Sequence, residues 1–163
     1  MKKYIGLFLF CVFIVSCVPV SEKLSQQDCK YLLANIKDEN INTDFRITDV
    51  SNEKIYEDLH NLIVNVDNFS LSLLTLSPNK DLKVFFLQDS IWVQQVNSIE
   101  FPLEISQIGV KSPDDPGGKT YSFMYNQANL EGTEKICVTM IAIKDPQGLS
   151  EPIGSYFEFS LEK

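Results

Sequence analysis

The stretch LEGTEKICVTMIA at residues 130–142, followed by IKDPQGLSEP at residues 143–152, decides the fold prediction. Apolar side chains recur at every second position from Ile136 to Ala142, which is the period of a strand with one buried face. The Asp-Pro-Gln-Gly run at residues 145–148 has turn chemistry. Apolar residues then alternate again from Phe157 to Leu161. We therefore predict two antiparallel strands joined by a turn.

The same alternation recurs earlier in the chain, between runs rich in Pro, Gly, Asn and Asp at residues 77–80, 112–118 and 130–132. The alternating apolar residues are Phe69, Leu71 and Leu73; Leu82, Val84 and Phe86; Ile99, Phe101, Leu103 and Ile105; and Tyr121, Phe123 and Tyr125. Pro102 cannot donate to a sheet, so its strand belongs at an edge. The pattern predicts a mainly β fold, an antiparallel β-sandwich of immunoglobulin-like or transthyretin-like kind, as a single domain over residues 25–163.

A helix near residues 26–37 is predicted at the start of this domain. Ser25 and Asp28 have the spacing of a capping box. The apolar residues behind them, Cys29, Leu32, Leu33 and Ile36, lie on one face of a helix. Residues 43–61 suit either a second short helix or an extended chain, so one or two short N-terminal helices are expected.

Composition excludes several functions. The 163 residues carry 14 basic and 22 acidic side chains, a net charge of −8, which disfavours contact with nucleic acid. With 44% hydrophobic and 22% charged residues the chain can bury a core. The single His, His60, is expected at the surface, and there is no CxxC pair. We expect no enzymatic activity, no metal and no cofactor.

The N-terminus has the pattern of a secretory signal. Met1-Lys2-Lys3 precedes an apolar run from Tyr4 to Val15 that is too short to span a bilayer. Ile14-Val15-Ser16-Cys17 resembles the bacterial lipobox, although that family prefers Leu at the first position. The resemblance implies a signal peptide at residues 1–16, lipid on Cys17 and a tether at residues 17–24. The alternative is an ordinary signal peptide or an uncleaved anchor.

The lipobox resemblance also predicts a location. Val18 follows Cys17, whereas Asp at that place retains enterobacterial lipoproteins in the inner membrane. By analogy the protein is expected in the bacterial envelope, lipid-anchored at the outer membrane and facing the periplasm or the cell surface. Loss of residues 1–16 would change the net charge from −8 to −10. We therefore expect the domain to stand off anionic headgroups.

Two cysteines remain once Cys11 and Cys17 are assigned to the signal peptide and the lipid. Cys29 and Cys137 would then lie together in an oxidising compartment, where a disulfide between them is the simplest interpretation. Two buried free thiols are the alternative.

Residues 130–152 also resemble the last hairpin of fibronectin type III and similar immunoglobulin-like domains. The family has Leu, then Gly or Pro, then three apolar residues and Ala at fixed offsets. In this chain those offsets hold Leu130, Gly132, Ile136, Val138, Met140 and Ala142. Gly148, Ser150 and Pro152 match the turn that follows. Ile136 stands where the family usually has Tyr, and the family's early Trp has no clear counterpart. The resemblance implies architecture and not function.

Candidate binding residues come from two features. The first is an aromatic surface that would be exposed and able to bind a ligand unless a helix covers it. Its residues are Trp92, Tyr121 and Tyr125, with Phe85 and Tyr156. Asp114 and Asp115 lie in a Pro- and Gly-rich loop that is either a solvated turn or a cation site. Glu100 and Glu104 are too far apart along a strand for a glycosidase pair and suit edge charges.

Without a catalytic set, the chain is interpreted as a lipid-anchored envelope protein that binds a protein partner or serves as an assembly subunit. An adhesin-like module that binds carbohydrate or a host ligand is one alternative. The segment Lys83–Leu87, followed by Asp89, resembles an early strand of the outer-membrane lipoprotein of type VI secretion. That lipoprotein is another alternative. A third is an accessory or inhibitor protein that uses a loop at residues 111–119.

Overall fold

The computed structural model of the protein describes residues 28–97, 105–111, 118–144 and 150–161. These residues are mainly strand, as predicted. The strands are β1 (Phe45–Tyr56), β2 (Leu59–Asn68), β3 (Leu74–Leu76), β4 (Leu82–Gln88), β5 (Ile91–Gln94), β6 (Ser106–Ile108), β7 (Gly118–Asn126), β8 (Thr133–Lys144) and β9 (Glu151–Ser160). The helical pieces are α1 (Pro78–Asp81) and 3-10 turns at Cys29–Leu33, Asp38–Asn40 and Gln127–Leu130.

Two antiparallel sheets contain these strands. The smaller sheet has the order β1-β2-β7. The larger one has the order β5-β4-β8-β3-β6, and β9 pairs with the other edge of β8. β3 and β6 extend the larger sheet beside the end of β8.

One core lies between the two sheets. β2 and β7 of the smaller sheet contribute Leu62, Val64, Val66, Tyr121, Phe123 and Tyr125, all buried. The larger sheet contributes Val84, Phe86, Ile136, Val138, Met140 and Ala142. Each group follows the period of two that the sequence shows, so alternation correctly identified the inward faces of these strands. The architecture is the antiparallel β-sandwich that was predicted.

The predicted C-terminal hairpin is present. β8 and β9 pair antiparallel over their whole length, with Ile136 opposite Phe159 and Ala142 opposite Ile153. Residues 145–149, which would include the turn, lie outside the described residues. The pairing buries the middle of β8 completely, because β4 covers its other edge.

The predicted α-helix near residues 26–37 is wrong for the part that is described. Residues 29–33 form a 3-10 turn, and Asp28 makes no side-chain capping hydrogen bond to it. The physical reason is tertiary packing. Leu33 and Ile36 lie on Gly154 of β9, where a Cβ would come within 3.1 Å of Leu33 Cδ1. The segment follows the outer surface of the larger sheet and does not continue as a straight helix.

Cys29 and Cys137 form a disulfide that holds this segment to the sheet. Their Cα atoms are 5.8 Å apart and 108 positions apart in sequence. Cys137 lies on the outer face of β8, opposite Phe85 of β4. The buried cluster around the disulfide consists of Phe85, Leu87 and Trp92, with Leu32 and Tyr156 packed against it. The larger sheet is therefore covered on both faces at this point.

Three other predictions have different outcomes. Residues 45–56 are strand β1, so the extended alternative for residues 43–61 is correct over that range. Residues 69–73 are not a strand but connect β2 to β3. The predicted edge strand with Pro102 falls on residues 99–104, outside the described residues. Ile105 is exposed and immediately precedes β6.

Candidate functional site

The three aromatic residues expected at the surface are buried. Trp92 is 8% exposed, Tyr121 is 5% exposed and Tyr125 is fully buried. They also lie in two separate clusters, since Trp92 packs beside the disulfide whereas the tyrosines belong to the central core. An exposed aromatic surface built from these residues is therefore ruled out. The N-terminal segment covers Trp92 on the outer face of the larger sheet, and the larger sheet itself covers Tyr121 and Tyr125 on the inner face of the smaller sheet.

The other residues expected to form sites lie mostly outside the described part of the chain. Cys17, Asp114 and Asp115 are not described, nor are Glu100 and Glu104. Among the described residues there is no group of three or more His, Cys, Asp or Glu side chains that could hold a metal ion. No helix in the described ranges is long and apolar enough to cross a membrane.

His60 is buried at one end of the core, contrary to its expected surface position. Its ring stacks on Tyr125 with centroids 5.5 Å apart. Asn52 Oδ1 accepts a hydrogen bond of 2.8 Å from the Tyr125 hydroxyl and lies 3.3 Å from His60 Nδ1. Since Oδ1 can only accept, Nδ1 carries the proton in this contact. His60 Nε2 has no hydrogen-bond partner within the described residues.

The hydrogen bonds of this cluster explain its role. They join β1, β2 and β7 within the smaller sheet. Phe86 contacts the Tyr125 ring edge-on at 5.1 Å and so closes the cluster from the larger sheet. The cluster thus links the two sheets at this end of the core.

Tyr125 predicts a loss of stability at alkaline pH. Burial raises its pKa from the ordinary 10 to about 12. Because the folded state holds this proton more tightly, the associated stability is complete below pH 10 and is lost as the pH rises toward 12.

Chemical unfolding at a series of pH values should show this decline. The slope should be smaller in Tyr125→Phe and unchanged in Tyr31→Phe, which alters an exposed tyrosine. Equal slopes in all three proteins would contradict the assignment.

An exposed apolar loop lies at the opposite end of the sandwich, between β2 and β3. We call residues 69–73 the apolar loop. Leu71 is 96% exposed, Phe69 is 45% exposed and Leu73 is 46% exposed, whereas Ser70 between them is buried. The usual arrangement of apolar residues inside and polar residues outside is therefore reversed.

A buried polar network causes this reversal. Asn68 is fully buried, and its Nδ2 donates to Ser72 O at 2.8 Å and to Ile108 O at 3.1 Å. Its Oδ1 accepts from Ser70 N at 2.9 Å and from Ser70 Oγ at 2.6 Å. These bonds satisfy the polar groups that a loop must bury, and they hold Phe69, Leu71 and Leu73 outward. The loop is thus pre-organised with its apolar side chains in solvent.

Two cations lie against the base of the apolar loop. The Arg46 guanidinium is 5.3 Å and the Lys111 ammonium 5.0 Å from the centroid of the Phe69 ring. Lys111 also forms an ion pair with Asp67. Since Asp67 pairs with Lys111, and Asp44 beside the loop pairs with Lys144, Arg46 is the cation at the loop that forms no ion pair among the described residues.

A second exposed feature is the tip of the β1–β2 hairpin, at residues 53–58. Every residue of this tip is exposed. It presents Tyr56, 71% exposed, and Ile55, 38% exposed, among the acidic residues Glu53, Glu57 and Asp58. The hairpin tip and the apolar loop lie at opposite ends of β2.

Sequence reasoning missed both features. The Phe-Ser-Leu-Ser-Leu run at residues 69–73 has the period of a strand, and nothing local shows that Asn68 turns its polar residues inward. Comparison of the chain with protein-family models, with curated proteins and with solved structures finds no match. The geometry of the described residues therefore carries the functional argument.

Proposed function

We propose that this protein is a non-enzymatic, lipid-anchored protein of the bacterial envelope that binds a protein partner as an assembly subunit. The hairpin tip is the observation that supports protein binding. There a largely exposed Tyr and a half-exposed Ile project from a well-packed acidic sandwich. Tyr is enriched among the residues that contribute most to protein interfaces. The acidic side chains around it favour a partner with basic groups at its rim.

The disulfide supports an anchored domain. Eleven residues separate Cys17, the proposed lipidation site, from Cys29. Because Cys29 is bonded to Cys137 in the middle of the larger sheet, a pull on the tether is transmitted to the core and not to a loose terminus. Disulfides are typical of the oxidising compartments outside the cytoplasm. An outer-membrane location, taken from Val18, belongs to the same proposal.

The carbohydrate-binding alternative loses its aromatic surface, because Trp92, Tyr121 and Tyr125 are buried. The secretion-system alternative relied on the resemblance of Lys83–Leu87 to an early strand of that family, and this segment is part of β4. We prefer the assembly subunit because the exposed hairpin tip offers a contact surface.

Affinity isolation from native membranes tests the proposal. The lipidated protein should recover a stoichiometric envelope partner after mild crosslinking, and Cys17→Ala should lose it because the domain no longer resides at the membrane. Tyr56→Ala should reduce recovery at least tenfold, the loss expected when a central aromatic contact is removed. Tyr31→Ala is the matched control, since Tyr31 is also exposed but lies on the N-terminal 3-10 turn.

Two results would contradict this function. Equal losses in Tyr56→Ala and Tyr31→Ala would show that the hairpin tip is not the contact. Recovery that is independent of Cys17, with no acyl group on that residue by mass spectrometry, would reject the anchor.

A further inference from the structure

We propose that the apolar loop is a membrane contact, in which Leu71, Phe69 and Leu73 insert into the interfacial region of an anionic phospholipid bilayer. Arg46 and Lys111 would then lie at the level of the lipid phosphates. This goes beyond the proposed function, which assigns membrane attachment to lipid on Cys17 and protein binding to the hairpin tip.

The shape of the loop favours a bilayer. Leu71 is almost wholly exposed at the centre, and the half-exposed Phe69 and Leu73 flank it, so the apolar surface is a narrow projection. Three apolar side chains that project together from one short turn suit shallow insertion beneath a headgroup layer.

The hydrogen-bond network within the apolar loop lowers the free-energy cost of inserting it into a bilayer. Asn68 and Ser70 pair with the Ser70 amide, the Ser72 amide and the Ser72 carbonyl. These three backbone groups therefore do not lose water hydrogen bonds as the apolar side chains enter the bilayer. The order of the loop also lowers the entropy that binding would otherwise cost.

The charges near the loop favour anionic lipid over a second copy of this chain. Arg46 and Lys111 lie beside Phe69, with Asp67 as the carboxylate paired to Lys111. Two copies meeting at this loop would bring like charges together, within chains that each carry a net charge of −8. An anionic bilayer attracts the same cations.

The tether is long enough to allow the contact. Residues 17–29 reach at most about 40 Å when fully extended. The disulfide lies at Cys137, and β8 runs from there to Lys144, which pairs with Leu74 beside the loop. That run is about 23 Å at the rise of a strand. A domain anchored at Cys17 can therefore turn the apolar loop toward the same bilayer.

Fluorescence depth measurements on the full chain, purified from membranes and reconstituted into vesicles, test the proposal. The vesicles contain phosphatidylcholine with or without phosphatidylglycerol, and brominated phosphatidylcholine is the quencher. Leu71→Trp places a reporter on a side chain that makes little contact with the fold, and Tyr56→Trp places one at the opposite end. The native Trp92 is buried and supplies the background.

We expect the reporter at position 71 to shift to shorter wavelength and to be quenched in vesicles with phosphatidylglycerol, while the reporter at position 56 is not. Adding Arg46→Gln should lower the inserted fraction about fivefold, whereas Lys54→Gln, which alters an exposed cation on the hairpin tip, should not. Quenching at position 71 no stronger than at position 56 would overturn the proposal and point to a protein contact. Quenching that is insensitive to Arg46 would overturn the phosphate contact.

The same preparation separates this proposal from the lipid anchor. Mass spectrometry of the N-terminal peptide reports whether Cys17 carries acyl chains. A protein without acyl chains whose position 71 is quenched supports the loop and rejects the anchor. An acylated protein without quenching does the reverse.

Discussion

Replacement of both Cys29 and Cys137 by Ser is expected to lower the free energy of unfolding by up to about 4.7 kcal/mol. The disulfide closes a loop with a sequence separation of 108, and a loop of that size removes much of the conformational freedom of the unfolded chain. A loss of this size corresponds to a fall in melting temperature on the order of 10 °C. It is the largest single contribution that we expect from any pair of residues in the domain.

The loss should have a local signature as well. The disulfide holds the N-terminal segment over Phe85, Leu87 and Trp92. Without it this segment should open more often, and Trp92 emission should move to longer wavelength before the central core unfolds. Reductant should lower the melting temperature of the native protein but not that of the double variant, which serves as the control. A double variant as stable as the native protein would show that Cys29 and Cys137 are not bonded.

Asn68→Ala is expected to destabilise the protein by about 2 to 4 kcal/mol. The substitution removes four hydrogen bonds in a fully buried place and leaves Ser72 O, Ile108 O and the Ser70 amide without these partners. Each buried polar group left unsatisfied costs about 1 to 3 kcal/mol, less whatever water recovers. The apolar loop should also lose its order.

Denaturant unfolding and amide hydrogen exchange measure the two effects. Exchange at Ser70 and Ser72 should become faster in Asn68→Ala than in the native protein. Asn65→Ala is the matched control, because Asn65 is half-buried on the same strand and its Oδ1 accepts a hydrogen bond from Thr120 that is open to solvent. That variant should lose less than about 1 kcal/mol. Equal losses in the two variants would mean that the Asn68 network does not determine the loop.

The same Asn68 variant bears on the proposed membrane contact. If insertion depends on a pre-formed loop, Asn68→Ala should weaken quenching of a reporter at position 71 even though no apolar side chain has been removed. The comparison separates the order of the loop from its hydrophobicity, since Phe69, Leu71 and Leu73 are all retained.

The sequence alone determined the strands whose two faces differ. In β8 and β9 the alternation from Ile136 to Ala142 and from Phe157 to Leu161 predicted the hairpin that the structure contains. In β7 the same period marked Tyr121, Phe123 and Tyr125 as one face. This information is local, because successive side chains of a strand point to opposite sides whatever the rest of the chain does.

Only the tertiary structure decided which faces are covered and where the period is misleading. Trp92 is buried because a segment more than fifty residues away in sequence lies over the outer face of the larger sheet. The helical spacing from Cys29 to Ile36 ends in a 3-10 turn because Gly154 lets that segment lie close to β9. At residues 69–73 the Ser70 side chain faces inward because Asn68, which itself donates to Ile108 O, supplies a buried partner for it. Periodicity reports which side chains share a face, but burial depends on what distant parts of the chain bring to that face.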